Sequence, residues 1–156
     1  MKSHRKNPIL VTVMLLFLTG CSGDELPADF APPGDCILVT PVPLHTTEED
    51  PHEGTKEVFY CGQEEEELWG AKGPVFPIPA GTRVLKISTR EDQGYPWLVA
   101  EAVKDSDGWK WNEWTRNFPD ESYAPIPVDE SVCTDCHKDA KESDWMFTVF
   151  VPPGGL

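Results

Sequence analysis

The chain has little positive charge. Its 156 residues contain 13 Lys and Arg against 27 Asp and Glu, which gives a formal net charge of −14. A surface this acidic repels phosphate backbones and anionic lipid headgroups, so nucleic acid is excluded as a partner. It favours neutral or cationic small molecules and basic protein partners. The alternative explanation is solubility, and it accounts for most of this negative charge.

The sequence also has no apolar run of bilayer-spanning length near its start. Residues 9–18 are apolar apart from one Thr, and they follow a basic segment that contains Lys2, Arg5 and Lys6. A short apolar stretch behind a basic one is typical of a cleaved export signal and too short for a membrane helix. Residues 1–20 are therefore predicted to be a signal peptide.

The signal ends in a lipobox, Leu-Thr-Gly-Cys, at residues 18–21. Small residues before Cys21 suit a lipoprotein signal peptidase, which would leave lipidated Cys21 as the mature N-terminus. Ordinary cleavage, with Cys21 incidental, is the alternative. The pattern predicts a protein on the periplasmic face of a bacterial envelope, held to a membrane only by lipid. Ser22, where an Asp would indicate inner-membrane retention, favours the outer membrane.

Long helices are not expected either, because the chain contains 16 prolines. Residues 21–35 are rich in Pro, Gly and Asp and predict a lipidated flexible tether, which leaves residues 36–156 as one domain. Strands are predicted over residues 37–42, 56–60, 82–89, 97–104, 109–114 and 146–151, and short helices over residues 63–69 and from 128 or 129 to 142. The pattern favours an α+β fold, mainly an antiparallel β-sheet with a few short helices.

Two of the five cysteines stand in Cys133-Thr-Asp-Cys136-His137. This CxxCH motif is the attachment signature of c-type haem, in which two thiols add to the vinyl groups and the histidine binds iron. A CxxC redox pair or half of a zinc site is the alternative. The first needs a strand–CxxC–helix setting and the second needs another ligand pair, and the sequence has neither. One covalent haem c is predicted, with His137 as the iron ligand.

The remaining pair is Cys36 and Cys61. An even number of cysteines in an oxidising compartment favours a disulfide bond between them. Two separate buried thiols are the alternative.

Few residues are available as a sixth iron ligand. Beyond the signal peptide the only methionine is Met146, nine residues after His137, which is too close to cross to the opposite side of a haem. His45 and His52 are alternatives, although most loop histidines are simply exposed. An open iron site is therefore predicted, and an open site indicates small-molecule chemistry or gas binding.

Three segments resemble the cytochrome P-460 family. They are the CxxCH motif followed by Asp-Trp-Met-Phe-Thr-Val-Phe at residues 144–150, the Phe-Pro-Ile-Pro-Ala-Gly-Thr-Arg-Val-Leu-Lys segment at residues 76–86, and the stretch at residues 99–111 that ends Asp-Gly-Trp-Lys-Trp. The match covers residues 56–152. The resemblance implies a mainly β haem domain with His137 proximal to an open five-coordinate iron, and it implies a homodimer, since these domains commonly form one.

In the enzymes of that family a lysine is cross-linked to the haem ring, and the haem oxidises hydroxylamine to nitrous oxide or nitric oxide. The resemblance implies Lys72 as this lysine, with Lys86 as the second choice and an exposed surface lysine as the alternative for Lys72. It also implies Glu142 as the distal carboxylate that accepts protons, the alternative being a solvent-facing residue at a helix end. Electrons would pass to a periplasmic acceptor.

Two other functions stay open. The β-type cytochromes c′, sister members of the same fold, lack the cross-link and bind NO and CO in an apolar pocket, for which Phe59, Phe76, Trp97 and Trp111 are available. A plain electron carrier with a histidine as sixth ligand is the third possibility.

Overall fold

The computed structural model describes residues 24–40, 44–46, 50–127 and 129–152. Its strands are β1 (Cys36–Leu38), β2 (Leu44–Thr46), β3 (Gly54–Cys61), β4 (Trp69–Gly70), β5 (Gly73–Pro74), β6 (Arg83–Thr89), β7 (Pro96–Lys104), β8 (Trp109–Thr115) and β9 (Ala124–Pro125). Its helices are α1 (Glu65–Leu68) and α2 (Glu130–His137), and a 3-10 helix follows at Lys138–Ser143. These elements confirm the predicted α+β class, mainly antiparallel sheet with short helices.

Seven of the described strands form one antiparallel sheet in the order β1-β3-β6-β7-β8-β9, with β2 also paired to β3. Strands β6, β7 and β8 are consecutive in the chain, so short turns join them. In the turn between β7 and β8, the side chain of Asp105 accepts hydrogen bonds from the backbone of Asp107 and Gly108. Gly108 has a φ of +144°, which favours glycine at this position.

Alternate side chains of this sheet point to opposite faces. The strand register aligns two rows on one of them, Val58–Lys86–Ala100–Glu113 and Tyr60–Val84–Ala102–Trp111. We call this the cavity face, and the other the packed face. The sequence pattern predicted that Lys86 shares a face with Val84, and the register confirms it.

The packed face holds a compact apolar cluster. Val99 is fully buried, and Trp114 and Tyr123 are almost so. Leu26 and Phe30 of the N-terminal segment cover this cluster. Burial of this much apolar surface against the sheet makes the packed face a main source of stability.

Residues 24–30 are attached to the domain by hydrogen bonds as well. Leu26 and Tyr123 exchange backbone hydrogen bonds, the indole of Trp114 donates to the carbonyl of Asp24, and Arg116 donates to the carbonyl of Ala28. This part of the predicted flexible tether therefore packs on the domain, because its apolar side chains complete a cluster that composition alone did not reveal. Cys21 and the predicted signal peptide lie outside the described residues.

The two cysteines predicted to pair lie opposite each other in the β1–β3 register. Their sulfur atoms are 2.04 Å apart, the distance of a disulfide bond. The pair therefore joins the edge strand β1 to the body of the sheet.

Both predicted helices are present. In α1, Leu68 is 2 % exposed, so the apolar end of this acidic helix is docked as expected. Asp129 caps α2 by accepting a hydrogen bond from the backbone of Ser131, and the chain then tightens into the 3-10 helix. No helix in the described part of the chain has the length and apolar character needed to cross a membrane.

The strand predicted over residues 146–151 is wrong. These residues bend at Phe147 and Thr148 and pair with no described strand, and they cross the cavity face instead of joining an edge of the sheet. Met146 and Phe150 are buried there against Tyr60, whose hydroxyl donates to the carbonyl of Thr148. The apolar residues of this segment instead dock on the cavity face by their side chains.

Candidate functional site

A cavity of about 560 Å³ lies between the cavity face and α2. Ala100 and Ala102 of β7 line it, and their small side chains leave space between the larger residues of β6 and β8. The CxxCH residues of α2 and residues 146–148 line it from the other side. A cavity of this size falls within the range of about 300–1,000 Å³ typical of cofactor and ligand sites.

The structure brings the three predicted haem-binding residues to this cavity. Cys133 and Cys136 are three residues apart in α2, so their side chains lie on the same side of the helix, and both are free thiols. Together with His137, they line the cavity. Two thiols and an imidazole on one wall are the donor set that a covalent haem c needs.

The ring of His137 is held in a defined orientation. Its Nδ1 lies 2.6 Å from the carbonyl oxygen of Trp145. Because a carbonyl only accepts, Nδ1 carries the proton and Nε2 keeps a lone pair for a metal. The rings of Trp111 and Phe147 pack on the imidazole, with centroids 4.4 and 5.0 Å away.

The charge state of His137 also suits an iron ligand. Burial lowers its pKa below the ordinary value of 6.5, and the positive charge of Lys86 adds to this effect, while the hydrogen bond to Trp145 opposes it. The imidazole is therefore neutral at neutral pH, which is the form that binds metals.

The thiols do not have the setting of a redox-active pair. Burial and the negative charge of Glu113 raise the pKa of Cys133 above its ordinary value. Catalytic CxxC motifs instead lower the pKa of the attacking thiol, commonly at the start of a helix. Cys133 is in the middle of α2, so it lacks the position and the lowered pKa of a catalytic CxxC thiol.

A chain of three polar residues lies along the same cavity. The Nε2 atom of His52 is 2.5 Å from Oε1 of Glu113, and its Nδ1 is 2.5 Å from Nζ of Lys86. An ammonium group only donates and a carboxylate only accepts. His52 therefore accepts from Lys86 at Nδ1 and donates to Glu113 from Nε2. We call these residues the polar chain.

Burial and neighbouring charges shift the pKa values of this chain. Burial and the adjacent ammonium of Lys56 lower the pKa of Lys86 to about 8, against the opposing pull of Asp50 and Glu113. Burial tends to raise the pKa of Glu113, but the hydrogen bond from His52 and the charge of Lys86 lower it overall. Asp50 forms an ion pair with Lys56 beside the chain. The cavity thus places an easily deprotonated amine near an ionised carboxylate.

The structure does not bring the other two predicted site residues to the cavity. Lys72 is exposed in the turn between β4 and β5, and Glu142 is exposed on the 3-10 helix. Neither lines the cavity, whereas Lys86, the second choice for the lysine, does. Glu113 is the carboxylate that lies beside His52 and Lys86.

Sequence reasoning missed Glu113, although a signal was present. The alternation of β8 places Glu113 on the same face as Trp111, and matching that face to the one with Lys86 points to this carboxylate. Of the four aromatic residues proposed for a gas-binding pocket, only Trp111 lines the cavity. The side chain of His45 lies outside the described residues.

Comparison with known proteins found no family model and no curated protein that matches the chain. The resemblance to the cytochrome P-460 family therefore rests on the three segments quoted above. Among the described residues, no group of three or more His, Cys, Asp and Glu side chains could hold a metal ion.

Proposed function

We propose that the protein is an exported, lipid-anchored mono-haem c-type cytochrome of the cytochrome P-460 kind, which oxidises hydroxylamine or a related small nitrogen compound. The main support is that both cysteines of the CxxCH motif and His137 line one cavity, between α2 and a sheet face, with room for a cofactor. The bond from His137 to the Trp145 carbonyl adds to this support, because it frees Nε2 for iron.

The residues present fit a haem c. Cys133 and Cys136 would each add sulfur to one carbon of a vinyl group and hydrogen to the other, and His137 would bind iron through Nε2. When bound, the haem supplies a redox centre at which a small substrate loses electrons. The strands supply the apolar surroundings, since Val58, Val84 and the two alanines line the same cavity.

Two observations support an open iron site. Both ring nitrogens of His52 are engaged in the polar chain, so neither is free to serve as a sixth ligand. Met146 lines the cavity from the same side as His137 and packs with Phe150 in the apolar core. His137 would therefore be the residue that holds the haem iron, and neither His52 nor Met146 would compete with a small molecule for it.

The polar chain supplies the proton chemistry. Oxidation of hydroxylamine to NO or nitrous oxide releases protons together with electrons. The ionised carboxylate of Glu113 accepts a proton from His52 Nε2, and His52 Nδ1 takes one in turn from Lys86, its hydrogen-bond donor in the cavity. Glu113 replaces Glu142 in this role because it lies beside the cavity. The electrons pass to a periplasmic acceptor, and an acidic surface favours a basic one.

Lys86 is the lysine that we propose for the cross-link to the haem ring. Bonding the amine nitrogen to a ring carbon removes one hydrogen from each, so it needs a two-electron oxidant such as a peroxide. A pKa of about 8 leaves a substantial fraction of the amine neutral and nucleophilic.

Matched variants test these assignments. The protein is produced with haem-maturation machinery, and its haem peptides are analysed by mass spectrometry for a peptide joined through Lys86. Lys86→Met should abolish this peptide and the hydroxylamine-dependent reduction of an electron acceptor, while the exposed control Lys72→Met should leave both unchanged. Glu113→Gln should slow the reduction about 100-fold or more, the usual contribution of a general base, while Glu142→Gln should have no effect.

The same preparation separates the competing functions. A high-spin spectrum without a cross-link and without hydroxylamine oxidation would identify a module that binds NO or CO. A low-spin spectrum would contradict the open site and favour an electron carrier.

A further inference from the structure

An unusual turn connects the 3-10 helix to the C-terminal segment. Two consecutive residues other than glycine, Asp144 and Trp145, have φ values of 51° and 73°. Residues other than glycine rarely adopt this left-handed backbone conformation, and a bulky residue such as Trp adopts it least readily. Such backbone strain is kept only where the surroundings determine it, and it concentrates at functional sites.

The carboxylate of Asp144 anchors this turn on two sides. One oxygen accepts a hydrogen bond from the backbone N–H of Ile78 at 2.8 Å, and the other accepts from Nζ of Lys104 at 2.9 Å. The side chains of Asp144 and Lys104 are only 12 % and 15 % exposed, so the ion pair is shielded from water. The anchors belong to the loop before β6 and to the end of β7. The turn is therefore tied to the sheet and not only to its own neighbours.

The turn presents its backbone to His137. The N–H of Trp145 donates to the carbonyl of Ala140, and the carbonyl of Trp145 accepts from Nδ1 of His137. If the turn relaxed to an ordinary conformation, the carbonyl would point elsewhere and this bond would be lost.

We propose that Asp144 is a positioning residue for the iron ligand, and that it holds the Trp145 carbonyl on His137 and thereby lowers the reduction potential of the site. The inference rests on the proposed haem c function. A hydrogen bond that accepts the Nδ1 proton raises the basicity of Nε2. A more basic ligand stabilises ferric over ferrous iron, and hydrogen bonds around a haem ligand are among the means by which a protein sets its potential.

The test measures the haem-loaded protein by redox titration and by the iron–histidine stretching frequency of the ferrous form. Asp144→Ala removes both anchors, so we expect a higher midpoint potential and a lower frequency. Asp144→Asn keeps an acceptor for Ile78 and loses the ion pair, and Lys104→Met loses the same pair from the other side. These two variants should also raise the midpoint potential and lower the stretching frequency, but by smaller amounts than Asp144→Ala. Asp139→Asn, an exposed charge-matched change on the same 3-10 helix, should move neither.

The outcomes separate this inference from the proposed function. Wild-type protein that takes up no covalent haem would overturn both. Wild-type protein that carries haem, together with Asp144 and Lys104 variants whose potential and stretching frequency equal the wild-type values, would overturn the inference alone. If Asp144→Ala fails to fold, the milder Asp144→Asn and Lys104→Met decide the question by the same two readouts.

Discussion

The central sheet turns two different faces to its surroundings, although the same strands build both. On the packed face, Val99 and Trp114 are closed in by the N-terminal segment, and the cluster consists of aromatic and aliphatic side chains. On the cavity face, the neighbouring positions in the same strands are Ala100 and Glu113, with Lys86 across from Ala100. Side chains alternate along a strand, so neighbouring residues face opposite sides of the sheet. One of them therefore packs in the apolar cluster, and the next lines the cavity.

This contrast shows where the molecule tolerates unfavourable features. The small residues, the strained turn and the partly buried Lys86 and Glu113 lie on or beside the cavity face. The packed face has a buried charge against its cluster, Arg116, which stacks over Tyr123 and donates to the carbonyl of Ala28. Such features cost stability and persist where function requires them. The packed face offsets that cost.

The largest difference should come from adjacent residues of β7 changed in the same way. Ala100→Phe fills the cavity, so we expect a folded protein whose covalent haem content falls about tenfold or more, because the ring occupies the space that the haem needs. Val99→Phe forces the same bulk into a fully buried position, so we expect it to lower stability without occupying the cavity. Denaturant unfolding and haem content measure the two effects, with Ala100→Ser as the control. Equal haem loss in both variants would break the distinction between the faces.

Truncation on the packed face should have the next largest effect. Trp114→Ala removes a ring that packs on Val99 and Tyr123, so the free energy of unfolding should fall by about 3–5 kcal/mol. Trp114→Phe keeps most of the packing but loses the hydrogen bond to Asp24, and it should cost less. Urea denaturation monitors both. A loss below about 1 kcal/mol for Trp114→Ala would not be compatible with a closed apolar cluster there.

On the cavity face, removal of a charge should instead stabilise. In the haem-free protein, Lys86→Met should raise the free energy of unfolding at pH 7 by about 1–3 kcal/mol, because the folded state then avoids a buried ammonium. The pKa of Lys86 falls from 10.5 to about 8 on folding. Wild-type stability should therefore rise between pH 8 and 10.5, as the unfolded state binds more protons there. Lys86→Met should lack the part of this rise in stability that Lys86 causes. Denaturant titrations at several pH values measure it, and a variant whose stability rises as much as that of the wild type would contradict the prediction.

The smallest expected effect is the contribution of Glu113 to stability, which depends on acidic pH. The pKa of Glu113 is lowered in the folded state, so its contribution is present above the ordinary value of 4.5 and is lost as the pH falls through the lower folded value. Glu113→Gln should remove this contribution, about 1 kcal/mol at neutral pH, and should differ least from wild type in acid. Glu142→Gln is the exposed control and should follow wild type throughout. If the stability difference between wild type and Glu113→Gln grew as the pH fell, the prediction would be contradicted.

Local sequence patterns were enough to predict the face of a strand side chain, the position of a helix and the grouping of the CxxCH residues. The alternation over residues 82–89 placed Lys86 on the face of Val84, the capped segment after residue 128 is helical, and the CxxCH residues share one wall of a cavity. The pairing of the two cysteines on β1 and β3 also followed from their number and from the predicted compartment.

Features that depend on tertiary contacts could not be predicted in the same way. Lys72 and Glu142 were chosen by their distance along the chain from known motifs, and sequence distance does not say which side of an element faces a cavity. Residues 146–151 form an apolar run like that of a strand, yet a left-handed turn at Asp144 directs them across the sheet. Residues 24–30 have the composition of a tether, but Leu26 and Phe30 find an apolar cluster to cover.

The most direct test of the central claim is the intact mass of the mature protein produced with haem-maturation machinery, followed by analysis of the peptide that contains Cys133 and Cys136. The account requires a mass increase of one haem, with both thiols converted to thioethers and the haem on that peptide. An unmodified mass, with both thiols still open to alkylation, would contradict it.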